Sequence, residues 1–111
     1  MRALLLGGSL GFALACSGPP SCPNDLPASC PSNSAGYAAT IGPLVEKRCL
    51  ECHGKATNPP DLTSYAAVSA QKSAVLNQVY GCLMPPPDAG QLTTDEREQL
   101  LGWLKCGAMN N

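Results

Sequence analysis

Aromatic side chains are scarce in this sequence: 111 residues include one Trp, one Phe and three Tyr. A chain of this length forms one domain, and with so few large side chains its protein-only core would be thin. Small domains with thin cores usually need covalent cross-links or a bound cofactor for stability. The composition therefore excludes a large self-sufficient core and favours a buried prosthetic group or disulfides.

Strong charge of either sign is also missing. The formal net charge is −1, and the seven basic residues are scattered, with only Lys47 and Arg48 adjacent. This distribution provides no electrostatic footprint for nucleic acid. The sequence also shows no catalytic serine motif, no paired acids in a recognisable motif and no nucleotide-binding loop. We therefore expect neither a nucleic-acid partner nor an enzyme.

The chain does contain seven cysteines and a single histidine, and three of these eight residues stand together in Cys49-Leu50-Glu51-Cys52-His53. Two cysteines separated by two residues and followed at once by histidine form the attachment signature of a c-type haem. In that chemistry each thiol adds to one vinyl group of the porphyrin, and the adjacent imidazole ligates the iron. The motif predicts covalent haem at Cys49 and Cys52 with His53 as axial ligand.

Two other interpretations of the same motif remain open. A thioredoxin-like redox pair would need a βαβ context, and no strand pattern flanks Cys49. A zinc site would need a second ligand pair, and the other cysteines are single and scattered. Zinc binding and a plain thiol or disulfide pair are therefore kept as alternatives to haem attachment.

The N-terminus predicts export. Arg2 precedes an apolar and small-residue run that stops at Cys16, as in a signal peptide spanning residues 1–15. The run is too short and too glycine-rich for a membrane span. We expect lipid on Cys16 and an anchored periplasmic protein, with Ser17 favouring the outer membrane by resemblance to enterobacterial sorting. The alternative is simple secretion.

Residues 16–36 are rich in Ser, Pro, Asn and Gly, a composition that cannot bury enough surface to fold alone. We expect this stretch to be a flexible tether. Four cysteines outside the haem motif and the export signal allow three pairings. We expect Cys22 to pair with Cys30, and Cys82 with Cys106, because each bond then lies within one structural region.

The remaining sequence predicts helices. The first predicted helix has apolar residues at helical spacing and ends at His53-Gly54. Pro43 either kinks this helix or starts it after Gly42. A short helix through Val68 and a longer one over about 71–80, with Gly81 as its stop, would follow. The apolar residues expected on these faces are Tyr37, Ile41, Leu44, Val45, Val75, Leu76 and Val79.

The last predicted helix begins at Thr93 or Thr94 and ends at Gly107. Thr93 and Glu96 match the capping-box pattern, and Leu100, Leu101 and Leu104 form an apolar stripe. Trp103 is expected to pack across the first helix near Tyr37.

Met84 is the candidate for the second axial ligand. A thioether is a soft ligand suited to haem iron, and His/Met ligation raises the reduction potential. The prolines that follow Met84 restrict the backbone and would hold the sulfur in place without a helix. Methionine is more often a core residue than a ligand, which is the competing interpretation.

In chain order, the sequence contains Tyr37–Leu44, Cys49-x-x-Cys52-His53, Met84-Pro85-Pro86, Leu92-Thr93, Trp103 and Gly107-Ala108. Together these motifs resemble the class I c-type cytochromes, most closely the monohaem domains of bacterial exported lipoproteins. The resemblance covers about residues 36–108. It implies an all-α fold in which the first and last helices cross beside one covalent haem c, with thioether links at Cys49 and Cys52 and iron ligation by His53 and Met84. Cys82 and Cys106 are not part of the general family pattern. The loop after His53 is short for the family, so a contact from Pro59 or Pro60 to the proximal side stays open.

These expectations define a signal peptide at 1–15, a lipid-anchored tether at 16–36, a cytochrome c domain at 37–108 and a polar tail at 109–111. The expected function is one-electron transfer by a membrane-tethered monomer with transient redox protein partners. The first alternative is a disulfide-stabilised extracytoplasmic interaction domain without haem. The second is a haem protein that binds a small ligand after Met84 detaches.

Overall fold

The computed structural model describes residues 22–31, 34–54 and 58–111. The predicted signal peptide and the lipidation expected at Cys16 therefore lie outside the described residues. All regular secondary structure within the described ranges is helical. A π-helical turn at Tyr37–Ile41 is followed by five helices: α1 (Gly42–Arg48), α2 (Leu50–His53), α3 (Tyr65–Ala70), α4 (Lys72–Tyr80) and α5 (Thr94–Lys105). None of the helices in these ranges has the length and apolar character that crossing a bilayer requires.

The first predicted helix is present, in three consecutive pieces. Pro43 lies in the first turn of α1, where its missing N–H costs no intrahelical hydrogen bond. A π-helical turn precedes α1, and a break at Cys49 separates α1 from α2. The expected apolar face is confirmed, because Ile41, Leu44 and Val45 are buried.

Helix α5 begins as its sequence predicts. The Thr93 hydroxyl accepts a hydrogen bond from the Glu96 backbone N–H, and the Glu96 carboxylate accepts one from the Thr93 N–H. Both halves of the predicted capping box are therefore formed. Gly107, just after the helix, has φ of +102°, a left-handed conformation that glycine adopts without steric cost.

Helix α4 ends at Tyr80 with Gly81 as its C-cap, as expected, but the left-handed residue is Cys82 rather than the glycine. Cys82 has φ of +58°. Its N–H donates to the Val79 carbonyl at 3.1 Å, and the Leu83 N–H donates to the Gln78 carbonyl at 2.9 Å. These two bonds form a Schellman ending, which turns the chain toward Met84.

The core lies between the N-terminal helical pieces and α5. Leu100, Leu101, Trp103 and Leu104 of α5 are buried against the face that contains Ile41. The Tyr37 and Trp103 ring centroids are 5.7 Å apart, which confirms the predicted contact. Tyr65 joins them with centroid distances of 5.2 Å to Tyr37 and 6.3 Å to Trp103.

The C-terminal tail packs back onto this aromatic cluster. The Trp103 indole N–H donates to the Met109 carbonyl at 3.0 Å, and the Tyr65 hydroxyl donates to the Ala108 carbonyl at 2.8 Å. The polar atoms of these two rings are therefore satisfied by the backbone.

The expected disulfide pairing is wrong. The structure pairs Cys22 with Cys82 and Cys30 with Cys106, bridging sequence separations of 60 and 76 residues. The prediction assumed that residues 22–30 lie apart from the helical domain, which would have favoured local pairs. They instead lie against that domain, so both bonds connect distant parts of the chain.

The expected flexible tether therefore does not describe residues 22–31. Leu26 packs against the core. The Asp25 carboxylate pairs with the Arg97 guanidinium through distances of 2.7 and 2.9 Å, a hydrogen-bonded pairing that lowers the pKa of Asp25. Arg97 also donates to the Val79 carbonyl at 2.7 Å, so one side chain joins the N-terminal segment, α4 and α5.

Candidate functional site

A cavity of about 680 Å³ lies between the end of α1, α2, residues 58–62, α4 and the loop after α4, with Leu100 of α5 in its wall. All four side chains predicted to hold a haem line it: Cys49, Cys52, His53 and Met84. Much of the remaining wall is apolar, from Pro59, Pro60, Leu62, Ala74, Val75, Val79, Pro85, Pro86, Ala89, Leu92 and Leu100. The tertiary structure thus brings together one motif and one methionine that are 31 residues apart in sequence.

Val75 illustrates how the cavity alters the expected core. The helical pattern predicts Val75 and Val79 on one inward face of α4, and both line the cavity. Val79 is buried, whereas Val75 is only half-buried. The inward face of α4 therefore faces the cavity as well as neighbouring side chains.

Cys49 and Cys52 are the two described cysteines that form no disulfide. Cys49 immediately precedes the single helical turn of α2, and its carbonyl accepts hydrogen bonds from the N–H groups of Cys52 and His53 at 3.3 and 2.9 Å. Residues three apart on a helical turn lie on one face. Burial raises the pKa of the Cys49 thiol to about 11, so this group stays protonated at neutral pH, whereas Cys52 is exposed.

His53 is held by backbone carbonyls of the loop that follows it. Its Nδ1 lies 3.1 Å from the Pro60 oxygen and 3.2 Å from the Asn58 oxygen. Because carbonyl oxygens only accept, Nδ1 carries the proton and Nε2 keeps a lone pair for a ligand. A backbone carbonyl on the other ring nitrogen is one of the partners by which proteins orient a metal-ligating histidine.

The described residues after His53 bring a proline carbonyl to the imidazole, and a proline contact with the proximal side of a haem stays a prediction. The loop is long enough to return Pro60 to the imidazole, and both Pro59 and Pro60 line the cavity. The Leu62 N–H also donates to the His53 carbonyl at 3.2 Å, which closes the loop onto the end of α2.

Met84 lines the cavity from the loop between α4 and α5 and remains 38 % exposed. Its backbone N–H donates to the Gln78 carbonyl at 3.0 Å. The competing interpretation of Met84 as a core residue is not supported, because it is among the exposed large apolar residues. Met109 is 61 % exposed at the C-terminus and does not line this cavity.

An ion pair that the motifs do not indicate borders the cavity. Arg48, which lines it, donates to both carboxylate oxygens of Glu96 at 3.0 and 2.6 Å. The hydrogen bond from Arg48 is the main reason that the pKa of Glu96 falls to about 2. The pair joins the end of α1 to the first turn of α5, so the negative charge of the capping box is matched by a cation at the cavity.

The sequence analysis also did not predict the contacts of the Gln91 side chain. Its amide donates to backbone carbonyls of the proline-rich loop after Met84. A polar residue in a loop is locally indistinguishable from other solvated residues, and only the folded loop shows what it contacts.

Within the described ranges, no group of three or more His, Cys, Asp or Glu side chains is arranged to hold a metal ion. Comparisons with models of protein families, with curated proteins and with solved structures each found no match to this chain.

Proposed function

We propose that this protein is a membrane-tethered monohaem c-type cytochrome that carries single electrons. The observation that carries the proposal is the cavity whose wall contains Cys49, Cys52, His53 and Met84 together. Two thiols, an imidazole and a thioether are the groups that covalent attachment and His/Met ligation require.

The residues around the cavity fit a haem in size and chemistry. A volume of about 680 Å³ lies within the range of about 300–1,000 Å³ for cofactor and ligand sites. The largely apolar wall suits a porphyrin face. The hydrogen bonds at Nδ1 of His53 leave Nε2 as the nitrogen available to iron.

Each residue then has a distinct part. Cys49 and Cys52 would form thioether bonds, His53 would be the proximal ligand and Met84 the distal ligand. When bound, the haem would supply the ferric/ferrous couple that accepts and donates one electron. The chain would keep both axial positions filled, which disfavours oxygen or peroxide chemistry, and the protein would not be an enzyme.

Export and anchoring belong to the same proposal and rest on residues 1–16 of the sequence. Lipid on Cys16 would place the domain in the periplasm on a membrane, with the outer membrane favoured. Its partners would be redox proteins that meet it transiently, since such encounters typically use small interfaces.

The pyridine haemochrome spectrum of protein exported in cells with haem-attachment machinery tests the proposal. We expect the wild type to give the spectrum of haem joined through two thioether bonds. The Cys49→Ser/Cys52→Ser variant should retain no haem after denaturation, because it has no covalent bond to the porphyrin. The Cys30→Ser/Cys106→Ser variant is the matched control, since it also removes two cysteines but should keep covalent haem. Wild-type protein without covalent haem would overturn the proposal and favour a disulfide-stabilised interaction domain.

A second candidate is a haem protein whose Met84 detaches to admit a small ligand. The 38 % exposure of Met84 is the observation that favours it. Carbon monoxide binding to the reduced wild type distinguishes the two, since rapid binding would support an open iron site and slow or absent binding would support the electron carrier.

A further inference from the structure

We propose that Gln91 is a positioning residue for Met84, holding the proline-rich loop that presents the sulfur. The inference rests on the proposed His/Met ligation and adds a residue that acts through the backbone. Gln91 would not itself touch the haem iron or its ligands.

The contacts of the Gln91 amide support this role. Its Nε2 lies 2.6 Å from the Pro86 carbonyl oxygen and 3.3 Å from the oxygens of Pro85 and Ala89. An amide nitrogen has two hydrogens to donate, so at least one of them is shared between two of these three acceptors. Pro85 and Pro86 line the cavity beside Met84.

The sequence of the loop limits the backbone hydrogen bonds that could hold it. Pro85, Pro86 and Pro87 have no backbone N–H, so this run cannot form reciprocal backbone hydrogen bonds. Its carbonyls can accept only from side chains, from backbone N–H groups outside the run or from water. Within the described residues, the Gln91 side chain donates to Pro85 and Pro86, and the Ala89 N–H donates to Pro86 at 2.9 Å.

The chain on the other side of Met84 is held independently. The N–H groups of Leu83 and Met84 both donate to the Gln78 carbonyl, at 2.9 and 3.0 Å, and Cys82 is bonded to Cys22. Met84 therefore lies between a segment fixed to the end of α4 and a segment held by Gln91. Loss of Gln91 would release only the second segment.

The test compares Gln91→Ala and Gln91→Glu with Gln99→Ala and Gln99→Glu in the full-length haem-bound protein. Gln99 is exposed on α5 and does not line the cavity. Its variants therefore make the same chemical changes away from the proposed iron site. The readouts are the long-wavelength charge-transfer band of methionine sulfur on ferric iron, the rate of cyanide binding to ferric protein, and thermal unfolding. We expect Gln91→Ala to accelerate cyanide binding about tenfold, the scale of losing a hydrogen-bonded donor, while the Gln99 variants stay within about twofold of the wild type.

Gln91→Glu distinguishes positioning from a general effect on folding. Its carboxylate would place negative oxygens against carbonyl oxygens at neutral pH and weaken the sulfur band. Protonation restores one O–H donor, so the band should recover as pH falls through the pKa of this glutamate, which the facing carbonyl oxygens raise above the ordinary value of about 4.3. Gln99→Glu should show no such recovery.

The outcomes separate this inference from the proposed function. Wild-type protein with covalent haem and the sulfur band, combined with Gln91 variants that match the Gln99 variants, overturns the role of Gln91 alone. A wild type without the sulfur band overturns Met84 ligation and this inference together. Absence of covalent haem overturns the proposed function itself.

Discussion

At the scale of single residues, the hydrogen bonds of His53 decide which ring nitrogen is available. Two carbonyl oxygens face Nδ1, so Nδ1 carries the proton and Nε2 keeps its lone pair for a ligand. The proline-rich loop performs a comparable task for Met84, restricting backbone freedom around a side chain that is otherwise flexible. Neighbouring residues thus hold the imidazole of His53 and the backbone of Met84.

The first prediction concerns Met84. Met84→Ala should lower the reduction potential, because thioether ligation favours ferrous iron, and should open the iron to carbon monoxide. Met109→Ala is the matched control, since Met109 is exposed and does not line the cavity. Redox titration followed by absorbance measures the change, and equal potentials in Met84→Ala and wild type would exclude Met84 as a ligand.

At the scale of helices, α5 is organised by its first turn. The Thr93 hydroxyl and the Glu96 carboxylate satisfy each other's backbone N–H groups, and Arg48 pairs with the same carboxylate. The Glu96 carboxylate of the capping box therefore also joins α5 to α1, and both helices border the cavity.

Removal of the cap should have a measurable cost. We expect Thr93→Ala to reduce the free energy of unfolding by about 1 kcal/mol, within the range of about 0.5–2 kcal/mol for lost N-caps. Thr94→Ala, one position into the helix, removes a hydroxyl that does not form this cap and should cost less. Urea unfolding of both variants measures the difference, and equal losses would argue against the capping role.

The Arg48–Glu96 pair predicts a pH dependence at the same scale. Because Arg48 lowers the pKa of Glu96 from 4.5 to about 2, the pair contributes its full stability above pH 4.5. That contribution is lost as pH falls toward 2, where the carboxylate becomes protonated in the folded state. The thermal midpoint of the wild type should therefore fall across this interval.

Glu96→Gln should flatten this acid-dependent fall, since glutamine retains a side-chain acceptor for the capping box but carries no charge. Glu98→Gln is the matched control on the exposed side of α5 and should keep the wild-type slope. Thermal unfolding at several pH values measures both, and an unchanged slope in Glu96→Gln would contradict the assignment.

At the scale of the whole molecule, two disulfides join residues 22–31 to the helical domain. Both close long loops, and long loops lose the most unfolded-state freedom when they are cross-linked. Only the Cys22–Cys82 bond is close to the proposed iron site, since Cys82 is two residues before Met84. The Cys30–Cys106 bond is at the end of α5.

Removing each disulfide in turn should therefore distinguish an effect on the free energy of unfolding from an effect on iron ligation by Met84. Cys22→Ser/Cys82→Ser and Cys30→Ser/Cys106→Ser should each lower the free energy of unfolding by about 2–5 kcal/mol. Only the first should also weaken the sulfur charge-transfer band. Denaturant titration and absorbance of the haem-bound variants measure the two effects, and similar losses of the band in both would argue against a local role for Cys82.

Local signals explain why much of the fold was predictable. The capping box of α5, the apolar face with Ile41 and the stop after Tyr80 depend on residues within a few positions of one another. The left-handed Cys82 was not foreseen, because glycine is the usual residue in such a position, and the break at Cys49 has no local signal in the sequence. Gln91 was missed for the same reason, since its partners belong to a loop whose shape is set by folding.

The sequence alone determined the candidate chemistry and the helical segments, because the order of Cys49, Cys52 and His53 and the spacing of apolar residues are local properties. Only the tertiary structure decided that Met84 shares a cavity with that motif, that Pro60 reaches His53, and that Cys22 and Cys30 bond to Cys82 and Cys106. Those outcomes depend on how the chain returns to itself over tens of residues, where packing and loop closure, rather than local preference, select among arrangements that the sequence leaves equally open.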